Sequence, residues 1–157
     1  MNLGVRIKSA QITLPEQLIQ QAADANSVPS SGVTNLKIKL NNGSVSVSGT
    51  VHHLVDINFD TTWSLHVVGR GVTAMMLDAS ASFLHGPLVR KMIFEQFVHV
   101  ALAHTSQGRV TVCMDTIWFD VAKIAEDRAP GFTLSLQSVD AVEGAIVAVF
   151  GGEYRHA

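Results

Sequence analysis

Apolar and polar residues alternate along much of this chain, and the alternation predicts long antiparallel strands. The clearest case is the segment 36–49, which is apolar at every second position on both sides of Asn42-Gly43. A two-residue turn at Asn42-Gly43 pairs Leu40 with Val45 and keeps the two apolar stripes together. The turn and the stripe require the same register, so this segment is predicted to be a hairpin with one apolar face.

The same alternation continues over the next segments. Apolar residues occupy odd positions from Val55 to Val67, and again from Met75 to Phe83. Strands with one apolar and one polar face are typical of antiparallel sheets. Further strands are predicted at Gly4–Thr13, Arg109–Met114, Thr116–Val121, Phe132–Val139 and Ala145–Phe150.

Two helices and one helical turn interrupt the strands. Thr13 and Glu16 form a predicted capping box for a helix from Pro15 to about Asn26. A longer helix begins at His85-Gly-Pro-Leu and ends before Gly108. Apolar side chains cover well over half of its circumference, which predicts that it is largely enclosed.

The order of elements defines the expected fold class. A short helical turn fits Asp120 to Ile124, between the later strands. We therefore predict one α+β domain over residues 1–157, a length sufficient to bury a sizeable core. Its long, strongly twisted antiparallel sheet is predicted to wrap around one long apolar helix, with a shorter N-terminal helix.

Composition limits the classes of partner. Apolar residues make up 47% of the 157 residues and charged residues 15%, with a formal net charge of −2. This charge gives no electrostatic basis for binding nucleic acid, and no apolar run approaches the ~20 residues of a transmembrane segment. The single cysteine, Cys113, fits a reducing compartment. The N-terminal residues lack the apolar run of a signal peptide, so we expect a cytoplasmic protein.

The polar residues do not form a recognisable catalytic or metal-binding pattern. His52 and His53 are adjacent, so on a strand they point to opposite faces. His99 and His104 are five residues apart, unlike the i, i+4 spacing of zinc-binding helices. Ser64 and His66 share a strand face, but no orienting acid accompanies them. We therefore expect no catalytic residue, no metal site and no cofactor.

The apolar residues are the unusual feature of the chain. Methionines and aromatic residues are common among them, and flexible thioethers and broad rings can form a wall that adapts to a ligand. An ordinary core and a subunit interface would use the same residues. On sidedness alone, the candidate ligand-binding residues are Leu40, Trp63, Met75, Leu77, Phe83, Met92, Phe97, Met114 and Phe132.

The order of elements also resembles the tubular lipid-binding superfamily, in particular its small bacterial single modules. The likeness covers most of the chain: the strand into Ile12-Thr-Leu-Pro-Glu-Gln-Leu-Ile19, the hairpin, and the segments Ile117-Trp-Phe-Asp-Val and Thr133-Leu-Ser-Leu. The likeness lies in the order and pattern of the strands and turns. In that superfamily a curved sheet and a long helix enclose an elongated groove for lipid tails. The resemblance implies binding of a lipid or another hydrophobic molecule without catalysis, by a module that often associates.

Three hypotheses about function follow. The first is a carrier of a hydrophobic ligand, held in a groove between helix and sheet. The second is a structural module that forms a homo-oligomer or binds another protein through its apolar surface and strand edges. The third is an enzyme that uses its histidines, which has no supporting motif.

Overall fold

The computed structural model describes residues 4–25, 32–52, 54–82, 84, 86–105 and 108–155. These ranges contain nine strands and three helices. In chain order they are β1 (Gly4–Pro15), α1 (Glu16–Ala25), β2 (Val33–Asn41), β3 (Ser44–His52), β4 (Asp56–Val68), β5 (Gly71–Ala81), α2 (Pro87–His104), β6 (Val110–Cys113), β7 (Thr116–Phe119), α3 (Val121–Arg128), β8 (Phe132–Val142) and β9 (Ala145–Arg155).

The strands form two sheets. The larger sheet has the order β2-β3-β4-β5-β7-β6, and the smaller sheet has the order β1-β9-β8. Pairing between the described strands is antiparallel throughout. The α+β class is thus confirmed, but the prediction of one sheet wrapped around one helix is wrong. Alternation identifies the faces of a strand without identifying its partners, and here the first strand pairs with the last.

The register of the predicted hairpin is confirmed. Leu40 pairs with Val45 and Ile38 with Val47 across the turn, and Gly43 has the positive φ of 81° that such turns need.

The same turn joins the two sheets. The Gly43 amide donates to the Ala141 carbonyl at 2.9 Å, and the Gly144 amide donates to the Leu40 carbonyl at 3.1 Å. The Glu143 amide also donates to the Asn42 side chain at 2.9 Å. Two hairpin turns, one from each sheet, are therefore bonded to each other.

Helix α1 covers the open edge of β2. The Glu16 carboxylate accepts from the Leu40 amide at 2.8 Å, and the Gln20 side chain accepts from the Ile38 amide and donates to the Leu36 carbonyl, both at 2.7 Å. The predicted capping box is wrong, because Thr13 remains in β1. Bonding the edge of β2 to a helix protects it from pairing with another chain.

Replacing Gln20 with Ala is expected to destabilise the protein by about 1–2 kcal/mol, because two part-buried backbone groups lose their partners. Urea unfolding measures this change. Gln21→Ala is the matched control, since Gln21 is exposed on the same helix and the replacement has the same helix propensity. Equal losses for the two variants would contradict the role of Gln20 at the sheet edge.

A β-bulge reverses the apolar phase of β5. Thr62 pairs with Asp78 but Trp63 pairs with Met76, so Leu77 is the extra residue. Met76 is buried, whereas Leu77 is exposed. The prediction that odd positions of β5 face inward is therefore wrong at Met75 and Leu77, but it is confirmed after the bulge, where Ala81 is buried opposite Phe59.

The bulge also attaches α2 to the larger sheet. The Arg90 guanidinium donates to the carbonyls of Leu77 (3.0 Å) and Met76 (2.5 Å) and to the Asp115 carboxylate (2.9 Å). One side chain of α2 thus bonds to both backbone carbonyls at the bulge and to the turn after β6.

Helix α2 lies across the sheet but is not enclosed by it. Ile93 and Phe94 are buried, whereas Leu88 is 80% exposed and Leu102 is more than half exposed. The prediction of a largely enclosed helix is therefore wrong. The predicted helical turn after β7 is confirmed and extends to α3, which begins where the buried Asp120 carboxylate accepts from the Lys123 amide at 3.1 Å.

Candidate ligand-binding site

An open cavity of about 310 Å³ lies where α1, α2 and the inner faces of the two sheets meet. The larger sheet supplies most of its wall through β2, β3, β4, β5 and β7, and β9 of the smaller sheet contributes Ile146. Helix α1 contributes Ile19, and α2 contributes Phe97, Val100 and Ala101. The cavity therefore depends on contacts between elements that are distant in sequence.

The predicted hairpin forms one side of this cavity. All four central residues of its apolar stripe line the space: Ile38 and Leu40 from β2, and Val45 and Val47 from β3. Their register brings the four side chains to one face of the sheet. The one-sided pattern seen in the sequence thus becomes a continuous aliphatic wall.

The polar group of Trp63 is hydrogen-bonded away from the cavity. Its indole N–H donates to the Thr61 hydroxyl at 2.8 Å, and that hydroxyl donates to the Val47 carbonyl at 2.7 Å. Thr61 is itself buried. Because this chain of bonds satisfies the N–H internally, Trp63 presents carbon to the cavity.

An aromatic cluster supports the cavity wall from behind. The ring centroids of Trp63 and Phe97 are 5.0 Å apart, and those of Phe59 and Phe97 are 5.7 Å apart in an edge-to-face arrangement. Phe94 stacks on Trp63 with centroids 6.2 Å apart. Phe59 and Phe94 are both buried, so each of the two lining rings contacts a buried ring behind it.

The cavity surface is almost entirely carbon. Its lining residues in the described part of the chain are all Ile, Leu, Val, Ala, Phe or Trp. Ligand pockets ordinarily place a few polar groups among apolar ones to orient the ligand. A surface of this kind contacts hydrocarbon and supplies neither an acid, a base nor a nucleophile.

The candidate residues chosen from sequence are dispersed by the fold. Leu40, Trp63 and Phe97 line the cavity. The bulge places Met75 on the other face of β5 from Met76, and leaves Leu77 exposed. Phe83 lies outside the described residues.

The remaining three candidates lie elsewhere. Met92 is half-buried on α2 outside the cavity lining, and Met114 is 88% exposed in the turn between β6 and β7. Phe132 lies against Gly152, where an added Cβ would stand 2.6 Å from its ring.

Several lining residues were absent from the sequence-based set. Val45 and Val47 were on a recognised apolar stripe, so their sidedness was a usable signal. Ile19, Ala101 and Ile146 carried no such signal, because their approach to the hairpin follows from the packing of α1, α2 and β9 around it.

A hydroxyl, an imidazole and a carboxylate are hydrogen-bonded in series on the outer surface. The Thr34 hydroxyl contacts His52 Nε2 at 2.5 Å, and His52 Nδ1 contacts the Asp56 carboxylate at 2.5 Å. Water competes for these bonds, because the His52 and Asp56 side chains are 41% and 71% exposed. We interpret this series of hydrogen bonds as a structural link between the ends of β2, β3 and β4. No cluster of three metal-ligating side chains occurs among the described residues.

In the described part of the chain, shifted pKa values occur in two ion pairs away from the cavity lining. A side-chain hydrogen bond from Arg109 lowers the pKa of Asp127, and one from Arg155 lowers the pKa of Glu153. The Arg109 Nε to Asp127 Oδ2 distance is 2.7 Å and the Arg155 Nε to Glu153 Oε1 distance is 3.0 Å. The first pair joins the residue before β6 to α3, whereas both members of the second pair lie on β9.

A second, polar concavity of about 410 Å³ lies on the smaller sheet. Arg6, Lys8, Ser135 and Glu153 are among its lining residues, and bulges in β1 and β8 flank it. Its lining carries charges of both signs and hydroxyl groups, as an ordinary solvated surface does. We therefore regard the apolar cavity as the better candidate site.

Comparisons with protein-family models, with curated proteins and with solved structures find no match for this chain. Among the described residues, none of the helices is long and apolar enough to cross a membrane.

Proposed function

We propose that this protein binds or carries a lipid or another hydrophobic molecule in the apolar cavity, without catalysing a reaction. The observation that supports the proposal is the carbon surface of the cavity, to which Trp63 contributes only carbon because Thr61 holds its N–H. The tubular lipid-binding resemblance of the sequence points to the same class of ligand.

The volume of the cavity indicates how much hydrocarbon it accepts. About 310 Å³ lies at the lower end of the ~300–1,000 Å³ of small-molecule pockets. Since a methylene is similar in size to a water, which occupies about 30 Å³, the cavity accommodates on the order of ten methylenes. A polar head group would remain outside, because the lining residues give it no hydrogen-bonding partner.

The energy of binding also favours an extended hydrocarbon. Ten methylenes at ~0.8 kcal/mol each gain roughly 8 kcal/mol when fully buried. Association itself costs about 4–15 kcal/mol. The cavity alone therefore binds a short chain weakly, and additional apolar contact outside it would raise the affinity.

Native mass spectrometry and solvent extraction of the purified protein test this proposal, together with titration of a fluorescent fatty acid. We expect a co-purifying hydrophobic molecule or saturable uptake of the probe, with displacement by unlabelled fatty acid. Absence of both an extracted ligand and saturable uptake would refute the proposal.

An assembly module remains the second candidate, and the edge strand β6 favours it. Val112 in β6 is exposed, and Met114 in the following turn is more exposed still. Exposed apolar residues on an edge strand are suited to pairing with another chain. Light scattering distinguishes the two functions, because an assembly module forms a defined oligomer and takes up no ligand.

A further inference from the structure

One face of the smaller sheet is apolar over its whole length. Even-numbered residues of β9 from Ile146 to Tyr154 share this face with their partners on β1 and β8. Ala148, for example, lies between Ile12 of β1 and Val139 of β8. We call this surface the apolar face of the smaller sheet.

The opposite face of the same sheet is largely polar. Odd-numbered residues of β9 pair there with Gln11 and Arg6 of β1 and with Asp140 and Thr133 of β8. When a sheet has one apolar and one polar face, the apolar face ordinarily packs against other parts of the protein. Along β1, however, Val5 is 65% exposed and Ile12 is 44% exposed.

The apolar face is continuous with the cavity. Ile146 belongs to both, since it lines the cavity and begins the even-numbered row of β9. From there the row extends eight residues to Tyr154, or roughly 26 Å at ~3.3 Å per residue. A hydrocarbon that leaves the cavity beside Ile146 therefore meets further apolar side chains.

We propose that the apolar face is the outer half of the binding site, and that the ligand is a lipid with a hydrocarbon chain longer than the cavity. The cavity holds the end of the hydrocarbon chain, and the row formed by exposed residues of β1 and half-buried residues of β9 holds the part that follows. This inference rests on the proposed function. It adds a ligand class, because a chain of about ten carbons already fills the cavity and longer chains gain from the second surface.

The dimensions favour a ligand over a second protein copy. Three strands at ~4.8 Å spacing and a length of roughly 26 Å give at most about 370 Å². A stable protein interface buries ~800 Å² on each partner. A surface of half that size, narrow and joined to an apolar cavity, fits a hydrocarbon chain.

Binding of saturated fatty acids with ten, fourteen and eighteen carbons tests the inference, measured by displacement of a fluorescent fatty acid. Affinity is expected to rise about twofold for each methylene beyond ten, since an open face covers only part of each group. In the double variant Ile7→Thr, Ile12→Thr the eighteen-carbon acid should lose about tenfold in affinity while the ten-carbon acid is unchanged. Threonine retains the β-branched shape that strands favour.

The matched control is Arg6→Thr, Gln11→Thr, which alters the polar face of the same strand and should leave the affinity for both acids unchanged. A second measurement uses the unaltered protein. A fatty acid with a photoreactive diazirine at mid-chain should label β1 or β9, and one with the diazirine near its methyl end should label α2 or β3.

The outcomes separate this inference from the proposed function. Binding of the ten-carbon acid with no gain at eighteen carbons would refute the outer half of the site and leave the cavity proposal intact. Failure to bind either acid would refute the inference, and it would refute the cavity proposal as well if extraction also yields no hydrophobic ligand. A lipid-free dimer that becomes monomeric in the Ile7→Thr, Ile12→Thr variant would identify the face as a subunit interface and overturn the inference.

Discussion

Replacing Ala101 with Trp is expected to lower the affinity for a fatty acid roughly fiftyfold. Ala101 lines the cavity from α2, and an indole there occupies space that the ligand needs. Displacing three methylenes at ~0.8 kcal/mol each corresponds to this loss. Displacement of a fluorescent fatty acid measures the effect.

Ala103→Trp is the control for this experiment. Ala103 lies two residues further along α2 and is exposed, so the same side chain enters solvent instead of the cavity. Its affinity should match that of the unaltered protein. Ala101→Trp should keep its thermal stability, because the new ring buries itself against apolar neighbours. Undiminished binding by a folded Ala101→Trp protein would show that the ligand lies elsewhere.

Replacing Phe59 with Ala is expected to destabilise the protein by about 3–5 kcal/mol. The ring is almost fully buried and supports Phe97, which contacts Trp63 in turn. Its removal leaves a void behind Phe97, which lines the cavity. Urea unfolding should show the loss directly, and thermal unfolding should show a lower Tm.

Val112→Ala serves as the comparison, since Val112 is an exposed aliphatic residue of β6. The Val112→Ala substitution should lower the free energy of unfolding by no more than about 0.5 kcal/mol, as for most surface substitutions. If the Phe59→Ala protein lost no more than this comparison variant, Phe59 would not support the aromatic cluster. Phe59→Leu, which retains much of the volume, should lie between the two.

The predicted and observed structures agree most closely where two local signals coincide. Asn42-Gly43 selects a tight turn and the alternating residues select its register, so the hairpin and its apolar stripe were predictable. The helical turn predicted at Asp120 to Ile124 likewise coincides with the start of α3, where Asp120 is the N-cap. Agreement was poorer at Leu77, where one extra residue in β5 reverses the faces of the strand and no change of residue type announces it.

The candidate site was predictable only in kind. Leu40, Trp63 and Phe97 were identified by their apolar character and sidedness, and they line the cavity. Ile19 and Ile146 could not be placed there, because nothing in their local sequence encodes which distant strand they approach. Met114 shows the opposite error. Its apolar side chain made it a candidate ligand-binding residue, but the structure places it in an exposed turn.

Local sequence was enough to specify the hairpin register, the approximate bounds of the helices, and the presence of one apolar face on most strands. These depend on side-chain alternation and turn chemistry within a few residues. The folded chain alone shows that the first strand pairs with the last, that the strands divide into two sheets, and that Ile146 joins the cavity to a second apolar surface. Those features depend on contacts between residues more than a hundred positions apart, which periodicity along the chain does not record.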